Sequence, residues 1–284
     1  MPAHDPRTRV PLHDLPAQDW STAARTLADE GVVMLPGVFT EQALAKLEAA
    51  FEHSIANPTD KAVRFYPDED ALFFQDTGQS YIPLVRDIGL DSMVAALWGE
   101  SCLWYLGEQL FLKQSGHSRR TPWHQDTSYL RMRGKQMVAC WITLDPLPKQ
   151  HCLEFIPGSH RGPLFNGSAF AAADDTAPLY TDSPLPRLPD IQARREAYDI
   201  RSWNLRPGDL IVFHLGILHG GGGTEPAMRR RTASLRFMGP DVVYDGRVRD
   251  RRGVKAGNDE ALADIYTNLA DGQPFHELGM FQEV

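Results

Sequence analysis

Trp123-His124-Gln125-Asp126 sets an imidazole and a carboxylate two positions apart in an otherwise apolar and aromatic neighbourhood. In an extended segment side chains alternate faces, so His124 and Asp126 point one way and Gln125 the other. A close-spaced His and carboxylate supply two of the three protein ligands of a ferrous 2-His-1-carboxylate site; a distant His supplies the third, and the remaining positions stay open. The plainer reading of the pair is a hydrogen-bonded polar strand end. Choosing between them needs a third ligand.

His219 is the strongest candidate. It follows the apolar run Leu210-Ile211-Val212-Phe213-His214-Leu215-Gly216-Ile217-Leu218 and precedes Gly220-Gly221-Gly222-Gly223. Four glycines let backbone and ligands approach closely. His214 is the rival, but on a regular strand it faces away from His219 and reads as structural. Eleven residues after His219 comes Arg230, then Arg231 and Thr232. A guanidinium beside an open metal site suits a bidentate clamp on a carboxylate. If the glycine stretch and Thr224 to Met228 turn between two antiparallel strands, Arg230 returns alongside His219, with the Thr232 hydroxyl on the same face. Which of Arg229, Arg230 and Arg231 turns inward depends on register.

The elements that must carry these groups fall in two blocks. Residues 1–17 read as an irregular arm. Trp20 to Glu30 has helical composition with Gly31 as its stop, Val32 to Leu35 is a short buried strand, and Thr40 caps a helix through about His53 with Leu44, Leu47 and Phe51 on one face. Pro58 to Gln79 reads as a surface loop, with a lid contributing Phe73 or Phe74 as the alternative. Ile82 to Trp98 reads as one amphipathic helix closed by Gly99. Beyond it, Cys102 to Gln114, Met137 to Leu144, Cys152 to Ile156, Asp209 to Leu218 and Thr232 to Met238 are strand-forming. Short strands punctuated by Gly and Pro predict a β-barrel or double-sheet jelly roll behind a helical opening. Gly162 to Asp199 lacks periodicity and reads as an active-site excursion. Gly246 to Val284 carries Arg247, Arg249, Arg251 and Arg252 and a helix over Asn258 to Leu269; the arginines read as a solvated face.

Composition narrows the function class. The 284 residues suit one sizeable core, expected as a single domain over 1–284: helical support about 18–100, jelly-roll core about 101–245, C-terminal extension 246–284. Twenty-nine basic against 37 acidic residues give a net charge of -8, which argues against nucleic acid or an anionic membrane as partner. Cys102, Cys140 and Cys152 form no CxxC pair or disulfide framework. Met1 to Pro16 lacks the apolar core of a signal peptide, and no apolar stretch approaches the ~20 residues of a membrane helix. A cytoplasmic setting is expected; the oligomeric state is unreadable.

The chain resembles the phytanoyl-CoA dioxygenase (PhyH-like) branch of the Fe(II)- and 2-oxoglutarate-dependent oxygenases from about Cys102 to Met238. The resemblance rests on Pro122-Trp123-His124-Gln125-Asp126, Val138 to Asp145, Ile156-Pro157-Gly158-Ser159-His160, the Pro207-Gly208-Asp209 before the strand, and the His219 to Arg230 gap. It implies an α+β, mainly β fold: a double-stranded β-helix (jelly roll, cupin-like) with supporting N-terminal helices. It makes His124, Asp126 and His219 the iron ligands, and has Arg230 hold the distal carboxylate of 2-oxoglutarate with help from Thr232. Lys113 matches a lysine near the cosubstrate, and Gln125 and Trp141 match pocket-lining positions. One departure stands out. Gln150-His151-Cys152-Leu153 occupies a loop where relatives commonly read Asn-Gly.

The implied activity is hydroxylation of an unactivated C–H bond in a small organic metabolite, consuming O2 and 2-oxoglutarate and releasing succinate and CO2. Asp126 favours hydroxylation over halogenation, since related halogenases lack the carboxylate ligand. Arg119 and Arg120 with the aromatic loops suit a medium-sized substrate, an acidic group being one option. Two alternatives belong to other classes: a redox-neutral metal-dependent jelly-roll enzyme, which has no need of Arg230, and a catalytically silent ligand-binding domain.

Overall fold

The computed structural model describes residues 9–59, 80–113, 118–171, 173–181, 183–225, 228–248 and 269–284, together with the backbone of 62–65 and 71–76. In chain order the elements are α1 (Trp20–Glu30), β1 (Val32–Leu35), α2 (Glu41–Ala56), β2 (Ala62–Phe65), β3 (Ala71–Asp76), α3 (Ile82–Asp87), α4 (Leu90–Trp98), β4 (Trp104–Lys113), β5 (Thr121–His124), α5 (Thr127–Leu130), β6 (Met132–Arg133), β7 (Met137–Thr143), β8 (Leu153–Phe155), β9 (Leu210–His214), β10 (His219–Gly221), β11 (Arg230–Met238), β12 (Val243–Tyr244) and β13 (Gln282–Glu283).

Antiparallel pairing builds a major sheet in the order β1-β9-β7-β11-β4-β3-β2, with β13 added to β4, and a minor sheet β5-β10-β8. Each central major strand is buried on both faces, so its sequence is a near-continuous apolar run that still alternates by destination. Val138, Cys140, Ile142, Val212, Leu235 and Phe237 pack outward on Leu47, Phe51 and Leu97 of the helical layer. Ala139, Trp141, Ile211 and Phe213 point inward to Leu153 and Phe155 of the minor sheet. Two sheets facing across a shared interior, with helices behind the larger, form the expected jelly roll. Among the described residues no helix is long and apolar enough to cross a membrane.

β11 departs from the apolar rule. All nine of its residues are buried, but while Ala233, Leu235 and Phe237 join the helical core, Arg230, Thr232, Ser234 and Arg236 alternate with them and lie on the opposite, inward face. A buried polar stripe of this kind is costly unless it is matched by partners or ligands.

Four expectations need correction. Backbone 62–65 and 71–76 forms the β2–β3 hairpin on the edge of the major sheet rather than a loop; the Phe73 and Phe74 side chains lie outside the described residues. The helix expected over 82–98 is two helices, because Gly89 sits at φ 71 with Leu15 closely packed where a Cβ would stand. The strand expected over 209–218 ends at His214; a turn follows, and His219 opens β10 in the other sheet. Consequently β10 and β11 do not form a hairpin, since Arg230 pairs with Lys113 on β4. Residues 258–268 of the expected helix and Arg249, Arg251 and Arg252 lie outside the described residues, Leu269 is buried and non-helical, and Arg247 pairs with Asp245.

Candidate active site

His219 lies directly opposite His124 in the β10–β5 ladder, so two distant imidazoles meet because their strands are neighbours. The rings stand 4.2 Å apart between centroids. Asp126 arrives differently from the alternation expected: its backbone is αR (φ -59, ψ -32), where the chain leaves β5 and starts α5. That turn brings Asp126 Oδ1 to 3.4 Å from His124 Nε2 and 3.8 Å from His219 Nε2. One donor atom from each residue falls within 4.8 Å of the others. Both Nδ1 atoms face carbonyls, Pro122 O at 2.8 Å and Ile217 O at 3.1 Å. A carbonyl only accepts, so each Nδ1 carries the proton and each Nε2 lone pair points to the shared centre, the tautomer a metal ligand needs.

Electrostatics agree. Burial pushes the Asp126 carboxyl up, but the close contact with His124 and the electrostatic pull of His219, His124 and Arg236 outweigh it and hold the group at about 2. Burial, reinforced by the neighbouring His124, lowers His219 to about 4. Near neutral pH the cluster therefore offers an ionised carboxylate and a neutral His219, a donor set suited to a divalent cation.

Across the interior, the three consecutive arginines divide by strand alternation. Arg229 pairs with Glu52 at the surface. Arg231 turns outward to Asp145, Glu48 and Glu52. Arg230 turns inward and is 2% exposed. Its Nη1 donates to His151 O and Gly222 O, and its Nε is buried with no partner. Thr232 Oγ1, one step along the same face, is also buried and unpartnered. Lys113 joins them by donating from Nζ to Gly222 O at 3.0 Å. The unmatched Arg230 Nε and Thr232 Oγ1, side by side on the inward face of β11, are groups that a carboxylate could satisfy. Trp141 is buried on the inward face of β7, opposite Ser234.

The roof over His124 comes from the 162–199 excursion. Phe170, one of two non-glycine residues at positive φ (53) among the described residues, presents its ring edge-on to His124 at 5.3 Å, and Tyr129 does the same at 5.8 Å. The Tyr129 hydroxyl donates to Ser168 O and accepts from Ser168 N. Ser128 Oγ donates to Phe165 O. Gln125, expected to line the pocket, is committed to backbone at Pro163, Phe165 and Gly216. Arg119 donates to Phe170 O, and Arg120 is held by Glu154, which also binds Arg195. Phe170 and Tyr129 were not singled out in the sequence. The available signal was Tyr129 three positions past Asp126, one turn along any helix that starts there.

His214 belongs elsewhere. It packs against His160, accepts from Gly216 N at Nδ1 and donates to Gly134 O from Nε2.

Sequence comparison agrees with this geometry. The profile of the phytanoyl-CoA dioxygenase (PhyH) family matches residues 27–232. The chain belongs to that family. PhyH relatives include a probable phytanoyl-CoA dioxygenase of Caenorhabditis elegans, 24% identical over 132 residues (43% of this chain, 38% of the relative). The human peroxisomal phytanoyl-CoA dioxygenase is 25% identical over 127 residues (44% and 35%). The match thus spans little more than a third of each relative. Among solved structures, the carbocyclase SnoK of nogalamycin biosynthesis superposes with TM-score 0.65 at 18% identity, covering 98% of this chain and 99% of that one. The epimerase SnoN, solved with Fe3+, α-ketoglutarate and nogalamycin RO, gives 0.62 at 19% (90% and 94%). EvdO2 of Micromonospora carbonacea var. aurantiaca, solved with 2-oxoglutarate, gives 0.58 at 23% (82% and 94%). At these identities the likeness shows that this chain and these enzymes share one fold.

Proposed function

We propose that this PhyH chain is a non-haem Fe(II)- and 2-oxoglutarate-dependent oxygenase that hydroxylates a C–H bond of a small organic metabolite. The observation that carries the reading is the His124–Asp126–His219 cluster facing the unmatched Arg230 and Thr232 groups across one buried interior. His124 Nε2, Asp126 Oδ1 and His219 Nε2 would hold the metal, and their small separations leave one side free for cosubstrate and O2. Ferrous iron, when bound with O2 and 2-oxoglutarate, supplies C–H oxidation coupled to decarboxylation of the keto acid to succinate and CO2.

The chain's own residues do the positioning. Pro122 O and Ile217 O fix the tautomers of the two imidazoles. Arg230, with Thr232 and Lys113 beside it, takes the distal carboxylate and so sets which end of the keto acid reaches the metal side. Trp141 and Phe155 belong to the apolar cluster between the two sheets, which disfavours water there. Phe170 and Tyr129 wall the open side next to His124, where a substrate's reacting carbon would sit. A redox-neutral enzyme or a silent binding domain gives no reason for a carboxylate cradle opposite the metal ligands.

Two tests decide the reading. Fe(II) followed by 2-oxoglutarate without oxygen is expected to give a visible charge-transfer band that Asp126→Ala and Arg230→Met each lose; an unchanged band in both variants ends the assignment. Candidate compounds are then screened for substrate-dependent succinate release. Structural neighbours named as an epimerase and a carbocyclase make product mass the second readout: a product one oxygen heavier supports hydroxylation, an unchanged mass points to epimerisation, and loss of two hydrogens points to ring closure.

A further inference from the structure

The turn around His151 meets the glycine run at Arg230. His151 is 9% exposed. Its Nδ1 lies 2.9 Å from Gly223 O, so the ring donates there, while Nε2 looks towards the exposed Glu225 carboxylate at 3.8 Å. The His151 carbonyl accepts from Arg230 Nη1 at 2.8 Å. Gly222 O, one residue before the carbonyl that the imidazole grips, accepts from the same Nη1 and from Lys113 Nζ. Gly222 has φ +79, and a Cβ there would stand 2.5 Å from Arg230 Nη1 and 3.2 Å from His151 O. Only glycine fits between the turn and the guanidinium.

We infer that His151 is a positioning residue for Arg230: by holding Gly223, its imidazole aligns the His151 and Gly222 carbonyls that capture Nη1 and aim the Nε edge into the barrel. The inference rests on reading Arg230 as the cosubstrate anchor. Nη1 carries both backbone bonds, so the remaining edge of the fork is left to meet a carboxylate. A residue that fixes the orientation of a binding group acts on that group's ligand alone, and loss of such outer support commonly costs about 10–100-fold in affinity. His151 therefore governs recognition of the distal carboxylate, not capture of the keto acid end.

The test uses the full chain loaded with Mn(II), which binds O and N donors without turnover, and isothermal titration of 2-oxoglutarate against 2-oxobutyrate, a keto acid with no distal carboxylate. His151→Ala is expected to weaken 2-oxoglutarate about tenfold or more and to leave 2-oxobutyrate and Mn(II) affinity unchanged. His151→Asn, whose amide can donate to Gly223 O, is expected to recover most of the loss. Equal weakening of both acids, or wild-type binding in the alanine variant, overturns the inference. Arg230→Met is the separate control: a retained preference for 2-oxoglutarate removes the anchor reading itself. If His151→Ala does not fold, His151→Phe keeps the ring volume and removes the donor to Gly223 O; it is expected to show the same selective loss, and a wild-type preference there overturns the inference equally.

Discussion

Thr232 shows what a ligand-ready residue costs. Its hydroxyl is buried without a hydrogen-bond partner in the protein, and such a group costs about 1–3 kcal/mol. Thr232→Val keeps the shape and removes the orphan oxygen. The variant is expected to melt higher by the equivalent of about 1 kcal/mol without ligand while binding 2-oxoglutarate more weakly, so melting curves with and without cosubstrate should move in opposite directions. A variant that loses stability in both conditions would place the hydroxyl in a role unrelated to the cosubstrate. The sequence names His124, Asp126, His219, Arg230 and Thr232 because their types and gaps carry chemistry. It cannot say that Asp126 converges by a helical turn rather than by strand alternation, since a single αR residue leaves no periodic trace. Nor can it foresee that Gln125 spends its amide on backbone, because the partners lie 38 and 91 positions away.

At the scale of elements, α5 holds the excursion down. The Tyr129 hydroxyl makes two hydrogen bonds to Ser168, and Tyr180 OH donates to Ser128 O. Tyr129→Phe removes the first pair and is expected to cost about 1–2 kcal/mol, seen as faster amide exchange across residues 166–171 with the β7 and β11 amides unchanged. Uniformly faster exchange would mean that the excursion is part of the global fold rather than an annex. The strands of the barrel were legible because apolar β-rich runs are bounded by Gly and Pro. The break at Gly89 and the turn after His214 were not, because a local composition of apolar residues continues through both. Sheet membership, which carries His219 from the major sheet to the minor one, is decided by long-range pairing that no local window contains.

At the scale of the whole molecule, Arg9 links Val284 to a buried carboxylate. Asp91 is fully buried, and burial raises its carboxyl pKa against the pull of the Ser92 amide and Arg9. Arg9 reaches it at 3.5 Å while also donating to Ser101 O and Val284 O. Arg9→Ala is expected to lower stability by about 3 kcal/mol, and adding Asp91→Asn should recover part of it; additive losses in denaturant melts would show the two residues to be uncoupled. A second global effect is acid sensitivity. Burial first, then the neighbouring His160, depresses His214 from 6.5 to about 4. The unfolded chain takes up a proton below about pH 6.5 that the folded chain refuses until about pH 4, so this contribution to stability is present above pH 6.5 and falls away across that window. His214→Gln should flatten the slope of unfolding free energy against pH, and an unchanged slope would assign the acid lability to other groups. With His124 and His219 on the minor sheet and Arg230 on the major one, the proposed function makes the gap between sheets a ruler for chain length. A five-carbon keto diacid that spans it should outcompete both the four-carbon oxaloacetate, which falls short, and the six-carbon 2-oxoadipate, which must buckle.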